Sequence, residues 1–242
     1  MPTAREALLR SALAALAELP WSAIRMVDVA SGAGVSRQTL YNEFGSKDGL
    51  ARALMRREAD RYLHGVERLL GERADAADRL VAVAEWTVGE ARARPLLRAL
   101  LTGCWGEWLP APPPARAATA TSAVPAQRRA DAGPPGTADL VALVRDRSAA
   151  ALRQDPRDQS QRDHGPRDPG RPDPGRPDRG QRDRDRDELL YRCELAVRLA
   201  LAHLIAPGAE SVGPLVRTAV TAPLRAPLRA PLSAPSPRAG AR

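Results

Sequence analysis

With 242 residues, 43% of them hydrophobic, the chain can bury one large core or two small ones. Alanine dominates that apolar set and aromatics are only 3%, which disfavours sheets and favours packed helices. The net charge of +8 favours a nucleic-acid partner, but residues 1–70 carry only +2 of it and residues 207–242 carry +4, so charge alone does not locate a binding face.

The first element expected is a helix from Thr3 to Leu19, opened by a Thr3-x-x-Glu6 capping box and closed by Pro20. Ala4, Leu8, Ala12, Ala15, Leu16 and Leu19 recur at helical spacing along one stripe. Trp21 and Ile24 are expected in the small core that follows.

Residues 27–47, VDVASGAGVSRQTLYNEFGSK, read as two short helices joined by a tight turn. Val29, Ala33, Val35 and Leu40 supply apolar positions, and Ala30 is small where the helices must cross. Gly34 sits where a residue without Cβ can take positive φ. Ser36 is an N-cap for a second helix, Arg37 to Phe44, whose front carries Arg37, Gln38, Thr39, Tyr41 and Asn42. A short helix with an apolar back and that front suits the major groove of DNA. The chain's only Phe (Phe44), only Asn (Asn42) and only Lys (Lys47) all fall within six positions here.

The run AGVSRQTLYNEFGSKDGL resembles the DNA-binding domain of the TetR family of bacterial transcriptional regulators, over roughly residues 3–60. The resemblance implies an all-α fold: a three-helix helix-turn-helix head joined by a long helix to a helical body for dimerisation and effector binding. It also implies a palindromic double-stranded DNA operator, a homodimer and ligand-responsive repression. The family commonly has Ser or Thr capping the first helix of the motif and touching phosphate. Here that stretch is Ile24-Arg25-Met26, and Arg25 is expected to replace the contact by charge. Ser36 belongs to the expected DNA face with the residues that follow it. By chemistry and by the family's motif, Arg37, Gln38 and Thr39 are expected at base edges, with Gln38 suited to adenine and Arg37 to guanine. Tyr41, Asn42 and Lys47 are expected at phosphates. The family usually has a small residue where Gln38 stands, so the operator preference is expected to be this chain's own.

Ser46 caps the next helix, expected to run to Leu70 with Leu50, Leu54, Tyr62, Leu63, Val66 and Leu70 buried. At 1.5 Å per residue it spans roughly 35 Å, enough to join a head to a separate body. Further helices are expected over Asp78–Arg94, over Pro95–Leu101 and over Thr137–Leu152. Residues 106–136 are Pro- and Ala-rich and read as a partly disordered loop. Residues 153–187 hold ten basic and nine acidic side chains with no aliphatic or aromatic residue, and are expected to stay unstructured. The most apolar helix is expected over Glu188–Ala206 and a last one over Ala209–Ala222. Residues 223–242, with APLR-type repeats, read as a disordered tail. The expected domains are therefore residues 1–46 (head), 47–222 (body) and the tail.

Trp86, Leu97, Leu100, Trp105, Trp108, Leu140 and Val144 lie on the segments that, in the resemblance, surround a cavity. Being apolar, they predict a hydrophobic small-molecule effector. Leu195, Leu199, Leu204, Val212, Leu215 and Val216 are the expected dimer face. No catalytic motif is present, His64, His164 and His203 are too scattered for a metal site, and no cofactor is expected. Cys104 and Cys193 lie in no CxxC and read as free thiols. With no basic-then-apolar leader and no run of eighteen apolar residues, the chain is expected to be cytoplasmic, nucleoid-associated when bound to DNA, and without a membrane partner. The rival reading is a constitutive or architectural DNA-binding protein with no effector pocket.

Overall fold

A computed structural model describes residues 3–72, 75–111, 133–154 and 179–222, and all regular structure among them is helical. The expected loop between residues 112 and 132, most of the low-complexity insert and the tail lie outside the described residues.

Helix α1 (Ala4–Glu18) starts from the expected box: Thr3 Oγ1 accepts from the Glu6 N–H at 3.2 Å, and Glu6 accepts from the Thr3 N–H at 3.1 Å. Leu8, Leu9 and Ala12 are its buried residues; Leu19, expected on the stripe, is extended and 47% exposed, because the helix has ended before it. Helices α2 (Met26–Gly32) and α3 (Arg37–Phe44) follow. Gly34 takes φ 68° between them, and the Val35 N–H then reaches the Ala30 carbonyl at 3.1 Å. Ser11 on α1 donates to the Val29 carbonyl at 2.9 Å, tying the first helix to the second.

Helix α4 (Lys47–Leu70) is capped by Ser46, which accepts from the Gly49 N–H at 3.0 Å. Its 24 residues span about 36 Å. The lower half packs under the head and the upper half enters the body. There it meets α5 (Ala76–Ala93), α6 (Pro95–Thr102) and α7 (Thr137–Arg153). Helix α5 starts at Ala76 rather than at the expected Asp78, because Asp75 is its N-cap and accepts from the Asp78 N–H at 2.7 Å. Helices α8 (Arg179–Ile205) and α9 (Val212–Thr221) close the body, both packing on α5 and on each other, with α8 also on α7.

Helix α8 corrects one expectation. It begins at Arg179, so residues 179–187 of the low-complexity insert are helical rather than unstructured. Those residues have nothing apolar to bury, but the alternation RDRDRD places opposite charges and amides one turn apart, as in the Gln181 to Asp185 hydrogen bond of 2.8 Å. The segment is an exposed extension of a helix that the core has already nucleated. Helix α9, by contrast, starts later than the expected Ala209, at Val212 after Ser211.

Among the described residues, no helix is long and apolar enough to cross a membrane, and no group of histidine, cysteine and carboxylate side chains is arranged to hold a metal ion.

Candidate nucleic-acid interface

The apolar back of α3 fixes the direction of its polar front. Leu40 and Phe44 are buried against the head core, four residues apart on one side of the helix. Arg37, Gln38 and Asn42 are thereby exposed, and Thr39 and Tyr41 are half-buried at the edges. Ser36 caps the helix, its Oγ accepting from the Thr39 N–H at 3.0 Å and lying 2.9 Å from the Thr39 hydroxyl. The far end is held by Arg5 of α1, which donates to the Glu43 carbonyl at 3.2 Å, pairs with the Glu43 carboxylate at 3.3 Å and covers the Phe44 ring at 4.7 Å. Arg5 has no motif of its own in the sequence, so only the fold brings it to this site.

The front residues satisfy one another. Gln38 Nε2 donates to Asn42 Oδ1 at 2.8 Å across one turn, and the Arg37 guanidinium lies 5.3 Å above the Tyr41 ring. These exposed contacts are weak in water and exchange readily for bonds to base edges and phosphates. The side chains are thus held extended from the surface without being committed to it.

Lys47 has a different placement. Its Nζ donates to the Ser22 carbonyl at 3.2 Å and sits 5.2 Å over the Trp21 ring. Partial burial pulls its pKa down, and neighbouring Asp48 acts in the opposite sense. Lys47 therefore fixes the α1–α2 connection to the start of α4 as well as bringing positive charge to this side of the head. Arg25 precedes α2 as an N-cap with no side-chain capping bond. Its guanidinium forks onto the Asp28 carboxylate, at 2.8 and 3.0 Å, and that carboxylate raises the Arg25 pKa. Arg25 is exposed beside the motif, so a phosphate there would compete with Asp28 for it.

The residues expected around an effector cavity have different surroundings. Leu97, Leu100, Leu140 and Val144 are buried and packed in the core, with at most 2% of any of them exposed. Trp86 stacks on Tyr62, ring centres 5.6 Å apart, against a surface left open by Gly65, where a Cβ would lie 2.1 Å from the indole. Trp105 is half-buried against the same core. Trp108 is 55% exposed and lines an open cleft of about 520 Å³ between the head and the body. The expected dimer face also divides. Leu204, Val212 and Val216 lie inside the chain's own core, because α8 and α9 both turn an apolar side to α5. Leu195 and Leu199 are half-buried, and Leu215 is exposed, as are Tyr191 and Ile205, which sequence reasoning did not select.

Residues 8–54 match the family model described as bacterial regulatory proteins, tetR family. The HTH-type transcriptional regulator AlkX of Mycobacterium tuberculosis is 42% identical over 106 residues, which cover 41% of this chain and 50% of that protein. The chain thus spans about half the length of that curated relative. Among solved structures, the TetR family repressor AlkX of Dietzia sp. aligns with 89% of this chain and 90% of its own, at 18% identity and a TM-score of 0.46. FadR of Bacillus subtilis in complex with stearoyl-CoA aligns with 88% of this chain and 94% of its own, at 13% identity and a TM-score of 0.43. The match runs from the first helix through the recognition helix into α4, so the head of this chain is similar to the DNA-binding head of the tetR family of bacterial regulatory proteins.

Proposed function

We propose that the chain is a DNA-binding transcriptional regulator that acts as a homodimer on a palindromic operator and responds to a small-molecule ligand as a repressor. The observation that carries this reading is the exposed polar front of α3 on a buried apolar back. One such helix contacts too few base pairs for useful discrimination. Two copies related by a two-fold axis read half-sites in successive major grooves, about 34–36 Å apart. The exposed apolar residues Tyr191, Ile205 and Leu215 on α8 and α9, with half-buried Leu195 and Leu199, support a self-complementary face there. In the complex Arg37, Gln38 and Thr39 reach base edges, while Ser36, Tyr41, Asn42, Lys47 and Arg25 are the phosphate-side residues.

The test is selection of fragments from random double-stranded DNA by the purified chain, repeated with Gln38→Ala. The expected result is a palindrome whose preference relaxes at one position per half-site in the variant, at a cost of about 1–3 kcal/mol there. Enrichment of no common sequence, or the same preference in both proteins, would refute direct readout by α3.

A further inference from the structure

We propose that the groove between α1 and α4 is an anion site, and that the ligand of this regulator is a phosphorylated small molecule seated there. This names the ligand class for the ligand-responsive reading above and rests on that reading for its effect on DNA. The groove, of about 530 Å³, is within the roughly 300–1,000 Å³ of small-molecule sites.

The charge of the groove selects an anion. Its lining carries four guanidiniums, those of Arg5, Arg10, Arg56 and Arg57, and two carboxylates, those of Glu6 and Asp60. Glu43 pairs with Arg5 from outside the lining, and the balance stays positive. Glu6 is already engaged, accepting from the Thr3 N–H at the first turn of α1. Between the charges lie Leu9 and Ala53, an apolar floor for the carbon part of a bound molecule.

Arg57 supplies an independent sign. Its Nη1 is buried with no hydrogen-bond partner among the described residues. A cationic donor in that state is costly, because it has lost water and gained no acceptor. Arg57 is half-buried on the groove wall, so a turn of its side chain brings Nη1 to an oxyanion in the groove and removes that cost. Arg10 is exposed on the α1 wall. Guanidinium forks from both walls suit the several oxygens of one phosphate. The DNA backbone is the less suited source of that phosphate. Arg57 lies ten residues beyond Lys47 on α4, about 15 Å along the axis from the end that faces DNA in the proposed complex.

Arg5 joins the groove to the DNA face. The guanidinium that lines the groove also donates to the Glu43 carbonyl at 3.2 Å and covers the Phe44 ring at 4.7 Å. An anion in the groove draws Arg5 from Glu43 and frees the end of the recognition helix. Ligand and DNA then favour different placements of Arg5, and each weakens the binding of the other.

The test uses full-length protein and inorganic pyrophosphate, in titration calorimetry at fixed ionic strength. Arg10→Gln with Arg57→Gln is expected to weaken pyrophosphate binding at least about tenfold. Arg225→Gln with Arg229→Gln removes the same charge from the tail and is expected to change it less than about twofold. Arg10→Gln alone, at an exposed position, is expected to weaken it about threefold, and decides the matter if the double variant melts early. Pyrophosphate is also expected to lower affinity for the selected DNA at least about fivefold in the wild type but not in the groove double variant, whose own DNA affinity stays near wild type. Equal losses in the groove and tail variants, or binding that survives the groove double variant, overturn the site. A groove double variant that loses DNA affinity, with a salt slope lower by about two units, gives the groove to the DNA backbone and also overturns it. Pyrophosphate binding that leaves DNA affinity unchanged overturns the ligand role. If the wild type binds DNA yet no pyrophosphate, the groove site fails and the regulator reading stands. If it binds no DNA, that reading fails, while calorimetry still decides the site.

Discussion

Gly49 fixes how closely the recognition helix approaches the long helix, and Gly49→Ala measures it. A Cβ at this position would lie 1.8 Å from the Phe44 carbonyl oxygen and 2.9 Å from its carbon, where ordinary contact begins near 3.4 Å. The obstacle is backbone, at the last residue of α3, and the same carbonyl already accepts from the Ser46 N–H at 2.8 Å. It cannot swing aside as a side chain would, so α3 and α4 must separate by more than 1 Å. Helix propensity acts oppositely, since Ala is about 1 kcal/mol better than Gly inside a helix. Forcing an extra carbon into a packed contact costs about 1–3 kcal/mol, and a backbone obstacle belongs at the upper end of that range. We expect a net loss of about 1–2 kcal/mol, or roughly 2–4 °C in Tm per kcal/mol for a chain of this size. DNA affinity should fall with it, because the recognition helix is displaced relative to the helix that carries it. The control is Gly89→Ala on α5, where the added Cβ meets nothing within 4 Å and propensity alone should act. Thermal melts and DNA titrations on both variants decide the matter. If Gly49→Ala raised Tm as Gly89→Ala does and left DNA affinity intact, the close approach of α3 and α4 would be wrong.

Lys47→Ala should weaken binding to all DNA sequences alike and lower the salt slope by about one unit, and it should also lower Tm slightly, since the Ser22 and Trp21 contacts go with it. A changed base preference with an unchanged slope would contradict the phosphate role. Ile205→Arg with Leu215→Arg places charge on two exposed apolar positions and should leave the fold intact while shifting sedimentation towards monomer; an unchanged dimer would move the interface elsewhere. Cysteine labelling with a thiol reagent at pH 8 should modify Cys104, which is exposed, while Cys193 is spared until unfolding, because burial pushes that thiol up to about 12. Rapid loss of both thiols from folded protein would show that the α7–α8 packing opens readily.

The head was legible because its signals are local. A capping box, a glycine needing positive φ, a serine N-cap and apolar residues one turn apart each act within four or five residues. The expected α3 (Arg37–Phe44) and the expected end of α4 at Leu70 agree with the structure. Nothing local announces Arg5 at Glu43, Ser11 at Val29 or Gly49 beneath Phe44, since each depends on where another helix lies. The body was legible as helices but not as surfaces. Periodicity finds an apolar side, yet it does not say whether α5 or a second chain covers it, so Val212 and Val216 read like Leu215 until the packing separates them. Composition misjudged residues 179–187 for a related reason: a charged stretch with no core of its own continues a helix that its neighbour's core has started. The tryptophans show the same division. The resemblance put them on segments expected to surround one cavity, whereas the tertiary structure stacks Trp86 on Tyr62 and leaves Trp108 at the junction of head and body, because only packing distinguishes a filled position from an open one.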